Sequence, residues 1–182
     1  MSILTSRLEL RPLRPDDAPA LAAYRNDPAI AAFQGWPLPY GLSDAAALID
    51  EMAGRTLGVE PGWVQWGVAR PGGPLLGDVA LRRHGPQAEI GLTLAPASHG
   101  QGFATEAGLA LLAHAFGTLK LRRLHAGIDP RNLTVTRLLA RLSFRHEGTL
   151  REAYEHRGEW ADEALYALLA SEWAQSGADR EA

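Results

Sequence analysis

The chain contains no cysteine. Disulfides, thiolate zinc sites, iron–sulfur clusters and a cysteine nucleophile are thereby excluded. Long apolar runs are missing as well. No stretch is apolar enough to span a bilayer, and the opening MSILTSRLELRPLRPDD has no apolar centre of the kind a signal peptide carries. Basic charge is not in surplus: 18 Lys and Arg stand against 21 Asp and Glu, a net charge of -3. That balance argues against a nucleic-acid binder, which shows a basic face. The histidines at 84, 99, 114, 125, 146 and 156 show no tight metal-ligand spacing, so no metal is expected. The resulting expectation is a cytoplasmic protein without nucleic-acid or membrane partners.

Against these absences stand 46% hydrophobic and 21% charged residues, the balance of a folded globular chain. A length of 182 residues suits one domain, 1–182, with a sizeable core. RLELRPL (7–13) alternates as a strand, and RPDDAPALAAYRN opens a helix with Asp16 and Asp17 at its positive end. FQGWPLPYG (33–41) is a loop rich in Pro and Gly. Ser43 is read as the N-cap of a following helix. Residues 62–83 form a hairpin around Pro71-Gly72-Gly73-Pro74, and 88–96 form a further strand ended by Pro96. A helix runs to about Thr118, a strand covers 122–128, a helix covers 131–143, and two long strands flank Gly158 across 144–173. The order β-α-α-β-β-β-α-β-α-β-β implies a mixed α/β architecture. Its sheet is mostly antiparallel, of about seven strands with one parallel crossover, flanked by about four helices.

SHGQGFATEAGLALLAHAF (98–116) sets Gly100 and Gly102 where a strand passes into a helix. The first turn of a helix has amide groups without intrahelical partners, and its dipole favours anions. Small residues at Gly100, Gly102 and Ala104 let those amides approach a phosphate, while Thr105 offers a hydroxyl. A tight strand–helix turn without a ligand accounts for the glycines equally well. The segment matches neither a Walker loop nor the G-x-G-x-x-G spacing of dinucleotide sites.

AEIGLTLAPASHGQGFATEAGLALLAHAF, with NLTVTRLLARLSF, HEG and GEWAD downstream, resembles the GNAT N-acetyltransferases. The likeness is to the branch of the ribosomal-protein N-acetyltransferases, which show E-I-G-Y-x-L, then W-G-K-G-Y-A-T-E-A, then N-x-x-S-x-R-x-L-x-x-L-G-F. It runs in register over nearly the whole chain. The resemblance implies a GNAT fold and acetyl transfer from acetyl-coenzyme A to a primary amine, by direct attack in a ternary complex. The amine is a protein N-terminus or a small molecule. Gly100, Gln101, Gly102, Phe103, Ala104 and Thr105 match the loop whose amides hold the coenzyme A pyrophosphate. His99 adjoins it, where a proton would help bind an anion. Leu92, Thr93 and Leu94 match the strand that pairs with the pantetheine arm, as an added strand would. Asn132 matches the residue that contacts the pantetheine, and it is equally a helix cap.

Acyl transfer to an amine needs a neutral nucleophile, donors for the oxyanion, and a proton or tolerance for the leaving thiolate. Glu89, in the place of the Glu of E-I-G, is the candidate base; a hydrogen-bonded strand carboxylate is the other reading. The family's usual acids are missing: Val135 stands where the branch often has Ser, and Leu139 where other members have Tyr. Hydroxyls are displaced to Thr134 and Thr136. Tyr154 and Tyr166 are further candidates near the acceptor, His125 is an outside candidate for acid–base work, and Glu106 and His114 are read as structural. Phe33, Trp36 and Tyr40 form either a lid or packing, and Trp63 and Trp66 are read as hairpin packing. These departures leave open a coenzyme A-binding sensor without turnover, and transfer of a longer acyl group such as succinyl.

Overall fold

The computed structural model describes residues 2–181, with side chains through Gln175. Eight strands form one sheet in the order β1-β2-β3-β4-β5-β6-β8-β7. β1 (Ile3–Leu4), β2 (Glu9–Pro12), β3 (Trp63–Ala69), β4 (Leu75–His84) and β5 (Gln87–Leu94) follow chain order and pair antiparallel. β6 (Arg123–Ile128) joins β5 in parallel through the crossover helix α4 (Phe103–Ala113). β7 (Arg145–His156) lies outermost, because β8 (Glu159–Leu169) turns back between it and β6. The sheet thus has one strand more than the seven expected, the addition being the two-residue β1. No helix among the described residues is long and apolar enough to cross a membrane.

Local chemistry explains most boundaries. α1 (Ala18–Arg25) follows the acidic turn Pro15–Asp17, and α2 (Pro28–Ala31) begins where the Asp27 carboxylate accepts from the Ala29 amide at 2.9 Å. α3 (Leu42–Met52) starts two residues earlier than expected. Its N-cap is Gly41, whose amide donates to Asp44 Oδ2 at 2.7 Å, so Ser43 lies inside the helix. α5 (Leu133–Arg141) is capped by Asn132, whose Oδ1 accepts from the Val135 amide at 3.2 Å. The last element differs from the sequence reading. β8 ends at Leu169, and α6 (Ala170–Glu181) takes over. The Leu169 amide donates to Glu172 at 2.9 Å, a cap that stops the strand and starts the helix.

One apolar core links Leu8, Leu10 and Leu21 with Val64, Leu81, Leu111 and Leu124. A buried polar group is built into it. Asp78 on β4 accepts from the Tyr24 hydroxyl and, at 3.2 Å, from Gln65 Nε2, while Arg25 Nη2 lies 4.0 Å away. Arg25 also stacks over the rings of Trp36 and Tyr40 and donates to the Tyr40 hydroxyl at 3.1 Å. Trp36 Nε1 donates to the Arg25 carbonyl at 3.0 Å. These contacts pin the 33–41 loop to α1. Burial pushes the Asp78 carboxyl above its ordinary range, against the pull of Arg25 and the hydrogen bonds.

Candidate active site

The parallel ladder between β5 and β6 is short. It joins Gln87, Ala88 and Glu89 to Arg123, Leu124 and His125, and then stops. Both strands continue, β5 to Leu94 and β6 to Ile128, so their facing edges lose each other as ladder partners. A buried backbone edge needs a partner, and this one opens onto a cleft. The inner cavity, about 310 Å³, lies against Glu89, Gly91, Gly127, Asp129, Tyr154 and Glu163. The outer cavity, about 570 Å³, lies against Thr93, His99, Gly100, Gly102, Ala104 and Arg141. Phe33, Gln34, Leu92, Asn132, Val135 and Leu138 border both, so the two are one passage.

The outer end is the glycine segment. Gly100 and Gly102 sit at φ +72° and +78°, the left-handed region in which glycine costs nothing. Gly102 is the N-cap of α4, and no side chain caps that helix. The first closing bond is from the Glu106 amide to the Gly102 carbonyl at 3.1 Å, which leaves the amides of Phe103, Ala104 and Thr105 without intrahelical partners. Glu106 is turned away from them. Its carboxylate accepts from Ser6, from the Arg7 amide at 2.9 Å and from Arg7 Nε at 2.7 Å. Burial opposes its charge, but those bonds and one from Thr5 outweigh it and hold the carboxyl below its ordinary value. The structural reading of Glu106 therefore stands on its contacts. Arg7 also donates to the Gln101 carbonyl at 3.0 Å and, with Arg70, lies over the Phe103 ring. Arg7, Arg70 and Arg141 put positive charge around the loop. None of them is legible as a partner of the loop from the sequence, because Arg7 lies between β1 and β2 and Arg70 just after β3, both far from the loop along the chain.

The expected loop residues divide by orientation. The Gln101 side chain folds back to the Ala97 carbonyl at 2.9 Å. His99 Nε2 lies 2.9 Å from the Leu94 carbonyl, an acceptor, so that nitrogen carries the proton and ties the loop to the end of β5. Asn132 spends its Oδ1 on the cap of α5 while standing between the two cavities.

Further in, Glu89 borders the cavity and pairs with Arg82, whose guanidinium lies 5.0 Å from the centre of the Trp63 ring. Trp63 is thus a wall of the cleft and not hairpin packing alone, whereas Trp66 is buried as expected. His125 stands beside Glu89 in the ladder; burial lowers its pKa and favours the neutral ring, against the attraction of Glu89. Val135, Leu138 and Leu139 give the helical wall an apolar surface. Thr134 borders the outer cavity, but the Thr136 hydroxyl donates to the Asn132 carbonyl at 3.2 Å. Tyr154 reaches the inner cavity, where burial first, then Asp129 and Glu163, hold its phenol protonated by raising its pKa. Tyr166 packs against the His146 ring and the core instead. His114 is buried, with Nε2 at 3.3 Å from the Leu57 carbonyl, as read from the sequence. Phe33 is the loop aromatic that borders both cavities, whereas Trp36 and Tyr40 pair with each other and with Arg25.

A sheet splayed after a short parallel ladder, with an uncapped helix at its outer end, gives this mixed α/β fold its cleft. The chain belongs to the GNAT acetyltransferases, since the family profile described as "Acetyltransferase (GNAT) domain" matches residues 7–145, well over half of it. It is 28% identical over 176 residues to the uncharacterized N-acetyltransferase p20 of Bacillus licheniformis, covering 95% of this chain and 98% of that one. A GNAT-family acetyltransferase structure from Bacillus anthracis superposes with TM-score 0.82 at 26% identity, covering 94% of this chain and 99% of that one. Mycobacterium smegmatis RimJ, solved with CoA-disulfide, shares the fold with TM-score 0.76 at 24% identity, covering 93% of this chain and 89% of that one.

Proposed function

We propose that this acetyltransferase takes its acetyl group from acetyl-coenzyme A and passes it directly to a primary amine in a ternary complex. The observation that carries the reading is the passage from the uncapped first turn of α4 to the open edges of β5 and β6. The residues present fit the donor. The amides of Phe103, Ala104 and Thr105, the φ-positive Gly100 and Gly102, and the nearby arginines suit a pyrophosphate. The edge of Leu92, Thr93 and Leu94 suits an amide-bearing arm laid down as an added strand. RimJ, with the same fold, was solved with a coenzyme A disulfide.

When bound, the thioester supplies an activated acyl group; the chain supplies orientation and charge. The amine enters at the inner cavity, between Phe33, Trp63 and β8. Glu89, held by Arg82, places negative charge where an ammonium would sit. Backbone donors on the unpaired strand edges meet the oxyanion, a contribution of about 3 kcal/mol per well-placed donor. The apolar wall of Val135 and Leu139 offers no hydroxyl to the leaving thiolate, which favours two further readings: a coenzyme A-binding sensor without turnover, and a slow enzyme whose thiolate leaves through water. Thiol release with acetyl-, propionyl- and succinyl-coenzyme A against a panel of amines separates them. Amine-dependent release with acetyl-coenzyme A is the expected result. Release confined to succinyl-coenzyme A overturns the acetyl assignment, and binding without release overturns turnover.

A further inference from the structure

Three carboxylates border the inner cavity: Glu89, Asp129 and Glu163. Two are already engaged. Glu89 is ion-paired with Arg82. Asp129 accepts from Arg131 Nε at 3.0 Å and Nη2 at 2.6 Å, and from the Arg131 amide at 2.9 Å. Those bonds hold its carboxyl below the ordinary range in spite of burial. Glu163 differs. No hydrogen bond or ion pair to another described residue engages its half-buried carboxylate.

The route by which Glu163 reaches the cavity is specific. β8 lies beside β6, with Gly127 opposite Leu165 and Ile128 opposite Ala164. A Cβ on Gly127 would stand 2.2 Å from Glu163 Oε1 and 3.0 Å from its Cδ. The bare backbone of Gly127 is therefore the space the carboxylate occupies. Gly127 lies two residues past the last ladder pair, on the strand edge that faces the splay. Glu163 thus lies over Gly127 on β6 and borders the inner cavity, without a hydrogen-bonded or ion-paired partner among the described residues. Tyr154 borders the same cavity, and its phenol stays protonated.

We propose that Glu163 is the proton acceptor for the incoming amine. The inference rests on the amine-acetylation reading above. The ammonium R–NH3+ gives one proton to Glu163, leaving R–NH2. The nitrogen lone pair forms the new C–N bond at the thioester carbonyl. Collapse of the tetrahedral adduct breaks the C–S bond, and the sulfur leaves with the bonding pair. The second N–H proton goes through water to the thiolate, and Glu163 returns its proton to solvent. The overall change is one acyl group moved and one proton released.

The test is a pH profile of kcat/KM for the parent, E163Q, E89Q and G127A, with the best amine from the thiol-release panel. The parent is expected to reach a plateau below the pKa of the free amine. E163Q should lose about 10²-fold or more at neutral pH. Its profile should then climb with unit slope to the amine's own pKa, because it depends on amine already neutral in solution. Coenzyme A affinity and Tm should stay at parent values. E89Q should keep the parent's profile shape. G127A displaces the flexible carboxylate; it should lower kcat/KM in the parent and cause no further loss in E163Q. A parent that releases no thiol with any amine overturns the functional reading itself. An active parent whose profile E163Q reproduces overturns the role of Glu163 alone. Additive losses for G127A and E163Q also overturn it.

Discussion

A negative charge placed in the first turn of α4 separates ligand binding from fold. Ala104 is the second residue of that helix and borders the outer cavity. Gly100 and Gly102 are poorer targets, because their φ of +72° and +78° strain any side chain whether or not a phosphate binds. Ala104 has no such constraint. An acidic side chain there interacts well with the helix dipole, by about 0.3–1 kcal/mol, so Ala104→Glu should hold or raise stability. Toward a pyrophosphate on the same amides its effect is opposite. One unit charge about 5 Å from another, at an effective dielectric of about 20, is worth roughly 3 kcal/mol. Salt screening lowers that, and a second phosphate charge raises it. The expected outcome is a Kd for coenzyme A weakened about 10²-fold by calorimetry, with Tm unchanged or higher. Affinity should recover partly at high salt. Parent-like affinity in Ala104→Glu at low salt would refute the placement of the anion on this turn.

Three further outcomes follow from the same structure. Arg11 and Asp17 form a buried two-bond pair, at 2.7 and 2.9 Å, so Asp17→Asn should cost about 3–5 kcal/mol and lower Tm by on the order of 10 °C. Burial pushes Asp17 up, but bonds from Arg11 and the Arg14 amide outweigh it and set its folded pKa below the unfolded value. Its contribution is therefore complete above the unfolded pKa of about 3.9 and is lost as pH falls through the folded pKa; denaturation from neutral into that acid range should show it in the parent and not in Asp17→Asn. With no acid aimed at the thiolate, Thr134→Ala, Thr136→Ala and Tyr154→Phe should each change kcat less than about tenfold; a loss of 10² or more in one of them, at unchanged coenzyme A affinity, identifies the missing acid. Val135→Ser sets a hydroxyl on the cleft wall and should raise kcat in steady-state kinetics; an unchanged or lower kcat removes that position from consideration.

What the sequence made legible was local. The hairpins, the crossover helix and the Asn132 cap rest on periodicity and on side chains acting a few residues away. The glycine segment was legible as a junction because Gly100 and Gly102 interrupt an apolar pattern at a strand end. α6 was not. ALYALLA (164–170) is apolar without a break, and the bond from the Leu169 amide to Glu172 marks where strand becomes helix. Ser43 was the cap expected from the sequence, but Asp44 takes the Gly41 amide and moves the cap to Gly41. The charged parts of the site were the least legible. Arg7 reaches Gln101 from β2's approach, and Glu163 reaches the cleft only because β8 lies against β6 and Gly127 lacks a Cβ. Such meetings depend on strand order, which short-range pattern does not encode. Tyr154 was nameable from the sequence, yet its separation from Tyr166 needed the register of β7 on β8.

Acetyl transfer to an amine is tested by following both of its products at once. The purified chain is mixed with acetyl-coenzyme A and a primary amine, and free thiol and N-acetyl product are quantified together by mass spectrometry. Thiol release that depends on the amine, in one-to-one proportion with N-acetylated product, is the expected result. Saturable binding of acetyl-coenzyme A with no amine-dependent thiol release across the whole panel would contradict it.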